Sequence, residues 1–137
     1  MHAINVLKNN MNYYKGNFHE DRERELKERN GWIVGRFLDG YRHTEKIGIK
    51  FWKFNKGEEG EHTLKYEKEA IECTFVLKGK VRGIVDGTEI IFKAGDYIVI
   101  PAKIQSNMIV EVIDEPIEGF TIKGPSLPKD DSVKLKG

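Results

Sequence analysis

Two stretches of the chain decide its fold: GEHTLKYEKEAIECTFVLKG at residues 60–79 and GDYIVIPAKIQSNMIV at residues 95–110. Each begins with a glycine and contains a run of aromatic and β-branched residues that is typical of β-strands. The segment between them contains the pair Asp86-Gly87, which is a strong signal for a tight hairpin turn. Together these features predict consecutive antiparallel strands in the middle of the chain.

Further strand-like runs lie on both sides of these two stretches. Turn signals separate the runs, among them Lys78-Gly79 and Glu115-Pro116. Many short strands at such spacing predict an all-β sandwich or barrel, and no βαβ pattern indicates a parallel sheet. The predicted strands are residues 32–38, 47–54, 62–66, 71–77, 80–85, 89–92, 97–100, 108–113 and 119–123.

The two ends of the chain differ in composition from this strand-rich centre. Residues 19–30, HEDRERELKERN, predict a short, solvated, charged helix that ends before Gly31. Residues 124–137 contain two prolines and few apolar groups, which predicts a surface tail, with packing across the barrel or a neighbouring subunit left open. The predicted organisation is an N-terminal arm with a helix (1–31), a β-barrel (32–123) and a C-terminal tail (124–137).

Charge and composition exclude several classes of protein. Lys and Arg total 23 against 22 for Asp and Glu, so the chain lacks the basic excess that is typical of nucleic-acid binders. Cys73 is the only cysteine, which excludes an intrachain disulfide and a thiolate zinc cluster. No run approaches the roughly 18 apolar residues of a membrane span, and the N-terminus lacks a signal-peptide pattern. We therefore expect a cytoplasmic protein with neither a nucleic-acid nor a membrane partner.

Residues 60–110 resemble the two-part signature of the cupin superfamily. The family's first motif, G-x5-H-x-H-x3–4-E-x6-G, is matched by Gly60, Glu72 and Gly79. Its second motif, G-x5-P-x-G-x2-H-x3-N, is matched by Gly95 and Pro101. The resemblance implies an all-β fold, a cupin-type antiparallel β-barrel or jelly-roll, to which this chain adds a short N-terminal helix.

The departures from the signature concern the metal site. In metal-binding cupins, two histidines and a glutamate of the first motif and one histidine of the second bind an ion; the corresponding residues here are Tyr66, Lys68, Glu72 and Ser106. A protonated lysine cannot be a ligand, and one carboxylate does not make a tight transition-metal site. We therefore expect no metal and no other cofactor. A non-standard site built from His62 and Glu72 stays open as an alternative.

The same positions predict a small-molecule cavity. Because strand side chains alternate, the resemblance implies that Tyr66 and Lys68 point into the barrel, with Glu72 as the natural partner of Lys68. His62 has the same parity and would lie at the cavity mouth. The candidate ligand-binding residues are Tyr66, Lys68, Glu72, Thr74, Ser106, Met108 and His62.

Three functions fit this pattern. The first is a metal-independent cupin domain that binds a small polar molecule in the barrel. The second is a metal-independent isomerase or epimerase of a sugar or other small molecule, with Glu72 or Lys68 as base and Tyr66 as acid. In the third, Lys68 and Glu72 only fill the interior of a structural subunit. Since the strands are rich in aromatic residues and two-fold dimers are the commonest oligomers, we also expect a homodimer.

Overall fold

The computed structural model describes residues 12–59 and 63–135, in which β-strands are the dominant element. One α-helix and eight strands follow one another along this part of the chain. Their bounds are α1 Phe18–Arg29, β1 Trp32–Val34, β2 Gly48–Phe54, β3 Lys65–Glu67, β4 Ile71–Val85, β5 Thr88–Lys93, β6 Tyr97–Ile100, β7 Ser106–Gly124 and β8 Ser132–Lys134.

The strands form one antiparallel sheet that curls around a common interior. Strands β1, β2, β7, β3 and β8 are neighbours in that order, and β4 joins β7 to β5 and β6. The two long strands, β4 and β7, connect the two halves of the sheet. Each extends through both halves and pairs with different strands along its length. The predicted all-β fold with an antiparallel barrel is confirmed.

Among the described residues, one cluster of buried apolar side chains fills part of the barrel interior. It contains both aromatic and aliphatic side chains, and each such side chain stabilises the fold by about 1.5–3 kcal/mol when it is fully buried. Phe54 and Met108 are among the partly buried residues that pack against it. The cluster consists of Trp52, Val76, Val81, Phe92, Ile109, Val112 and Ile117.

Two of the predicted turns lie inside continuous strands. β4 runs through Lys78-Gly79, and β7 runs through Glu115-Pro116. Gly79 has a φ of +88°, and the register with β7 shifts on both sides of Lys78. A glycine in this conformation lets a strand bulge and bend without reversing its direction. The prediction of separate strands on either side of each pair is therefore wrong.

Capping residues set the ends of helix α1, which begins one residue before the predicted start. The Asn17 side chain accepts a hydrogen bond from the Glu20 N–H at 3.1 Å, which satisfies one free donor of the first turn. Asn30 adopts the left-handed conformation, which ends the helix. None of the helices in residues 12–59 and 63–135 has the length and apolar character that a membrane crossing requires.

Helix α1 packs on the outer side of the barrel, so it is less solvated than its charged sequence predicts. The Phe18 ring lies 4.7 Å from the ring of Phe51 and 4.8 Å from that of Phe120, measured between centroids. Glu25 is buried and accepts a hydrogen bond from Arg42 at 2.6 Å. Burial by itself raises the pKa of Glu25, but the hydrogen bond and charge of Arg42 and its other arginine neighbours lower it overall.

The C-terminal segment is ordered against the barrel. Strand β8 pairs with β3, and Lys65 is the register partner of Lys134. The buried Asp131 carboxylate accepts hydrogen bonds from the backbone N–H groups of Glu69 and Ala70 at 3.1 and 3.2 Å. Residues 125–134 therefore lie across the barrel, beside β2, β3 and β7.

Candidate functional site

Strand β3 presents Lys65 and Glu67 to the interior of the barrel, where we expected Tyr66 and Lys68. Lys65 Nζ donates a hydrogen bond to the Glu72 carboxylate and lies 3.4 Å from Oε2 of Glu67. Lys68 is exposed, and strand alternation turns Tyr66 away from the face that carries Lys65 and Glu67. The predicted internal pair of Lys68 with Glu72 is wrong, and Lys65 occupies its place.

The spacing of the motif explains this error. The motif allows either three or four residues between its second inward-pointing residue and its glutamate, which is Glu72 here. With three residues between them the inward-pointing residue is Lys68, and with four it is Glu67. The structure uses four residues: β3 ends at Glu67, and Lys68 lies in the turn that follows. Local sequence does not distinguish the two registers, because each of them turns a charged side chain inward.

Glu67 is the centre of a cluster of paired charges. Only 4% of its surface is exposed, and its Oε1 lies 2.6 Å from Lys123 Nζ on β7. Burial by itself raises the pKa of Glu67, but the hydrogen bond from Lys123 and the charges of Lys65 and Lys123 outweigh it, so this pKa lies below its usual value. With Glu72, which pairs with Lys65, the barrel holds two carboxylates and two ammonium groups in contact.

A row of hydrogen-bonded polar side chains lies next to this cluster. Trp52 Nε1 donates to Thr121 Oγ1 at 3.0 Å, and Thr121 Oγ1 lies 3.0 Å from Thr74 Oγ1. Thr74 is buried on the same face of β4 as Glu72, as predicted. Along β4 and β7, the two threonines lie between the charged residues Glu72 and Lys123 and the apolar core, to which Trp52 belongs.

The remaining predicted site residues are distributed as follows. Ser106 is buried at the start of β7, opposite Lys65 of β3 in the register. Met108 is partly buried and packs against the apolar core. His62 lies outside the described residues. Contact of any of these side chains with a ligand stays a prediction.

The donor set at this position does not fit a transition metal. In the observed register, the four positions of the motif carry Lys65, Glu67, Glu72 and Ser106. Both carboxylates already pair with ammonium groups, and the two lysines would repel a divalent cation. Within residues 12–59 and 63–135, no group of three or more His, Cys, Asp and Glu side chains could hold a metal ion.

A cleft of about 440 Å³ opens beside the charged cluster. Its inner wall comes from strands of the barrel, and its outer wall comes from residues 125–134. Glu67 and Lys123 reach it from the cluster, whereas Lys65 and Glu72 lie behind them. The barrel residues that line it include Trp32, Lys50, Glu67, Ala70 and Lys123, with Phe37 at the rim.

Lys50 of β2 is a site residue that sequence reasoning missed. It has the same strand parity as Trp52, and its Nζ lies 5.6 Å from the centroid of the Trp32 ring. Burial lowers the pKa of Lys50, and the charges of Lys123 and three other lysines lower it further. Alternation with the core residue Trp52 was the signal that could have identified this side chain.

Another cavity, of about 270 Å³, lies between helix α1 and the outer side of the sheet. Its charged groups already have partners: Arg42 pairs with Glu25, and Arg22 pairs with Glu118 at 2.8 Å. The Arg42 guanidinium also lies 4.8 Å above the Tyr14 ring. These contacts anchor the helix, so this cavity is a weaker candidate for a binding site than the cleft.

Comparison with known proteins gives a family and a set of structural relatives. The family model of the Cupin domain matches residues 50–116. None of the curated proteins is significantly similar to the chain in sequence. The solved structures discussed next resemble the chain at 11–18% identity, so the similarity is one of fold.

Three solved structures illustrate the resemblance. A Streptomyces PAC13 variant with uridine has 11% identity and a TM-score of 0.57 over 68% of this chain and 70% of its own; Pac13 is described as a nucleoside dehydratase. A Klebsiella pneumoniae protein with a double-stranded β-helix domain has 14% identity and a TM-score of 0.56 over 69% and 78%. An RmlC-like cupin family protein from Methanocaldococcus jannaschii has 18% identity and a TM-score of 0.52 over 61% and 73%.

Proposed function

The chain belongs to the cupin superfamily, and on this premise we propose that it binds a small polar molecule, without a metal, in the cleft at the mouth of its barrel. The observation that carries the proposal is that the ion pair between the buried Glu67 and the partly buried Lys123 faces this cleft. Small-molecule pockets are concave and contain a few convergent polar groups. Buried ion pairs contribute little net stability, so their presence at a cleft favours a binding role.

A double variant tests this function. Glu67→Gln combined with Lys123→Met removes both charges and preserves the approximate volume, so the protein should fold with a melting temperature near that of the parent. We expect at least one class in a panel of neutral sugars, nucleosides, amino acids, carboxylates and organic phosphates to raise the melting temperature of the parent. The same compounds should leave the double variant unchanged.

The control removes an exposed ion pair in the same way. Arg82 and Glu111 pair across β4 and β7 on the surface, so Arg82→Met with Glu111→Gln should respond like the parent. The function is refuted if no class stabilises the parent, or if the double variant in the cleft responds to every class as the parent does.

A second candidate is a metal-independent isomerase or epimerase that uses acid–base chemistry. Its support is Lys50, because burial lowers the pKa of this amine toward the range in which it can accept a proton from a substrate. Tyr66 and Lys68, the acid and one base of the original hypothesis, do not face the interior in the observed register. Proton NMR of a bound compound distinguishes the two functions, because a binding protein leaves the compound chemically unchanged.

We also propose that the partner of the chain is a second copy of itself, and that the outer face of β4 and β6 forms the contact. Where β4 lies beside β6, at residues 71–77 and 97–100, the outward side chains of this face are uncharged, and the Phe75 ring stacks on the Tyr97 ring at a centroid distance of 5.4 Å. Its exposed surface is on the order of 500 Å², which would form the apolar centre of a standard interface of about 800 Å² per partner. The exposed members are Ile71, Phe75, Leu77, Tyr97 and Val99.

A cytoplasmic location remains a proposal that rests on the single cysteine.

The dimer is tested with two matched tyrosines. Tyr97 is 67% exposed on this face, and Tyr41 is 62% exposed outside it. Light scattering at micromolar concentration should give twice the chain mass for the parent and for Tyr41→Lys, whereas Tyr97→Lys should shift the mass toward one chain. A monomeric parent, or a Tyr97→Lys variant as dimeric as Tyr41→Lys, would contradict the proposal.

A further inference from the structure

The charges around the cleft are unbalanced, and this imbalance indicates the kind of ligand. We propose that the cleft takes a small anion in which a phosphate or carboxylate is joined to a flat ring, with Lys50 as the counter-charge of the acid group. This inference rests on the proposed binding function and names its ligand class. Three independent features of the cleft support it.

The first feature is the excess of cations. Four lysines line the cleft, and the two carboxylates among its described side chains both have partners inside the protein. Glu67 forms ion pairs with Lys123 and Lys65, and the Asp131 carboxylate accepts hydrogen bonds from backbone N–H groups. The cleft therefore has positive charge that its own acids do not neutralise. The four lysines are Lys50, Lys123, Lys129 and Lys134.

The second feature is the position of Lys50. Among the described side chains, no carboxylate lies within ion-pair distance of its ammonium group, which lies over the ring of Trp32 instead. Partial burial and, after it, the charges of the surrounding lysines disfavour the charged form and lower the pKa of Lys50. An incoming anion would relieve this repulsion and pair with Lys50 in a partly desolvated site, where a charge-assisted hydrogen bond is strong.

The third feature is an aromatic wall. The rings of Trp32 and Phe37 lie 5.2 Å apart at 52°, and Phe37 is 42% exposed. An exposed ring at the edge of a pocket offers a surface on which a flat apolar group can pack. The distance from Lys50 to the Trp32 ring places the acid group and the ring of one ligand within the same cleft.

Four compounds test the contributions of the ring and of the acid group separately. Phenyl phosphate and benzoate carry a ring and an acid group, inorganic phosphate lacks the ring, and benzyl alcohol lacks the charge. In calorimetric titrations we expect phenyl phosphate or benzoate to bind at least ten-fold more tightly than inorganic phosphate and benzyl alcohol. The tighter of the two identifies the acid group, and added salt should weaken its binding.

Two lysine variants of the same strand provide the matched test. Lys50→Met should weaken binding of the better acid at least ten-fold while the melting temperature of the free protein stays equal or rises, because a disfavoured charge is removed. Lys53→Met should bind like the parent, since Lys53 lies on the outer face near Glu23. Equal affinity of both variants, or no preference of the parent for ring-bearing anions, would overturn the inference. If neutral polar molecules still bind in that case, only the ligand class fails; if nothing binds, the proposed function fails with it.

Discussion

Replacing Glu67 by glutamine is expected to lower the free energy of unfolding by about 3 kcal/mol at neutral pH, because it breaks a buried ion pair and leaves its partner cation uncompensated. Glu67 is the partner of Lys123 and shares Lys65 with Glu72. In the variant, Lys123 would lose the carboxylate with which it pairs while it stays partly enclosed by the barrel and residues 125–134. Urea denaturation of parent and variant at pH 7 measures the difference.

The difference should depend on pH in a defined direction. The pKa of Glu67 in the folded protein lies below its usual value near 4.5. The unfolded chain therefore binds the proton more tightly, and this carboxylate stabilises the fold at pH values above about 4.5. Its contribution is lost as the pH falls through the folded pKa. The difference in unfolding free energy between the parent and Glu67→Gln should thus have its full value at pH 7 and should decrease below pH 4.5.

Two further variants show whether the cost arises from an uncompensated charge. Adding Lys123→Met to Glu67→Gln should restore most of the lost stability, since no unpaired cation remains at that position. Glu111→Gln, which changes an exposed partner of Arg82, should cost less than about 1 kcal/mol. Equal losses for Glu67→Gln and Glu111→Gln would show that the internal cluster does not stabilise the barrel.

The parts of the site that sequence predicted correctly lie on long strands. Glu72 and Thr74 share a face of β4, where fifteen residues and many neighbours fix the register. A shift by one residue there would disrupt the pairing of β4 with both β6 and β7 along its whole length. Strand β3 has only three residues, and polar side chains lie on both of its faces, so its register is not encoded locally. It depends on pairing with β8, far along the chain.

The cleft could not be predicted for a similar reason. Its outer wall consists of residues 125–134, whose composition is that of a surface tail. Their position follows from the Asp131 contacts and the β8–β3 pairing, neither of which leaves a local signal. Lys50 is the exception, because alternation with Trp52 and Phe54 within β2 marks it as an inward side chain. Gly79 is a further example, because a glycine in a strand-like sequence is typical of both a turn and a bulge, and the sequence does not distinguish them.

Gly79→Ala is expected to cost about 4 kcal/mol of unfolding free energy, the second large effect predicted for this protein. At φ +88° a residue with a Cβ is strained by about 1–2 kcal/mol. A Cβ at this position would also lie 2.7 Å from the carbonyl oxygen of Asp114 and closer still to that of Pro116. Both atoms belong to the backbone of β7, so the bulge that joins the two halves of β4 would have to move.

Gly95→Ala separates the clash from the strain, because Gly95 has a φ of +94° and a Cβ there would meet nothing within 4 Å. This variant should lose only the conformational part, about 1–2 kcal/mol. Urea denaturation followed by circular dichroism gives the loss of unfolding free energy for both variants. A Gly79→Ala chain that is already unfolded without urea would also support the prediction, because its loss would be larger than the expected value. Equal losses at the two glycines would mean that β7 yields freely at Asp114 and Pro116. The bulge would then be a tolerated irregularity rather than the fixed bend that lets β4 contribute to both halves of the barrel.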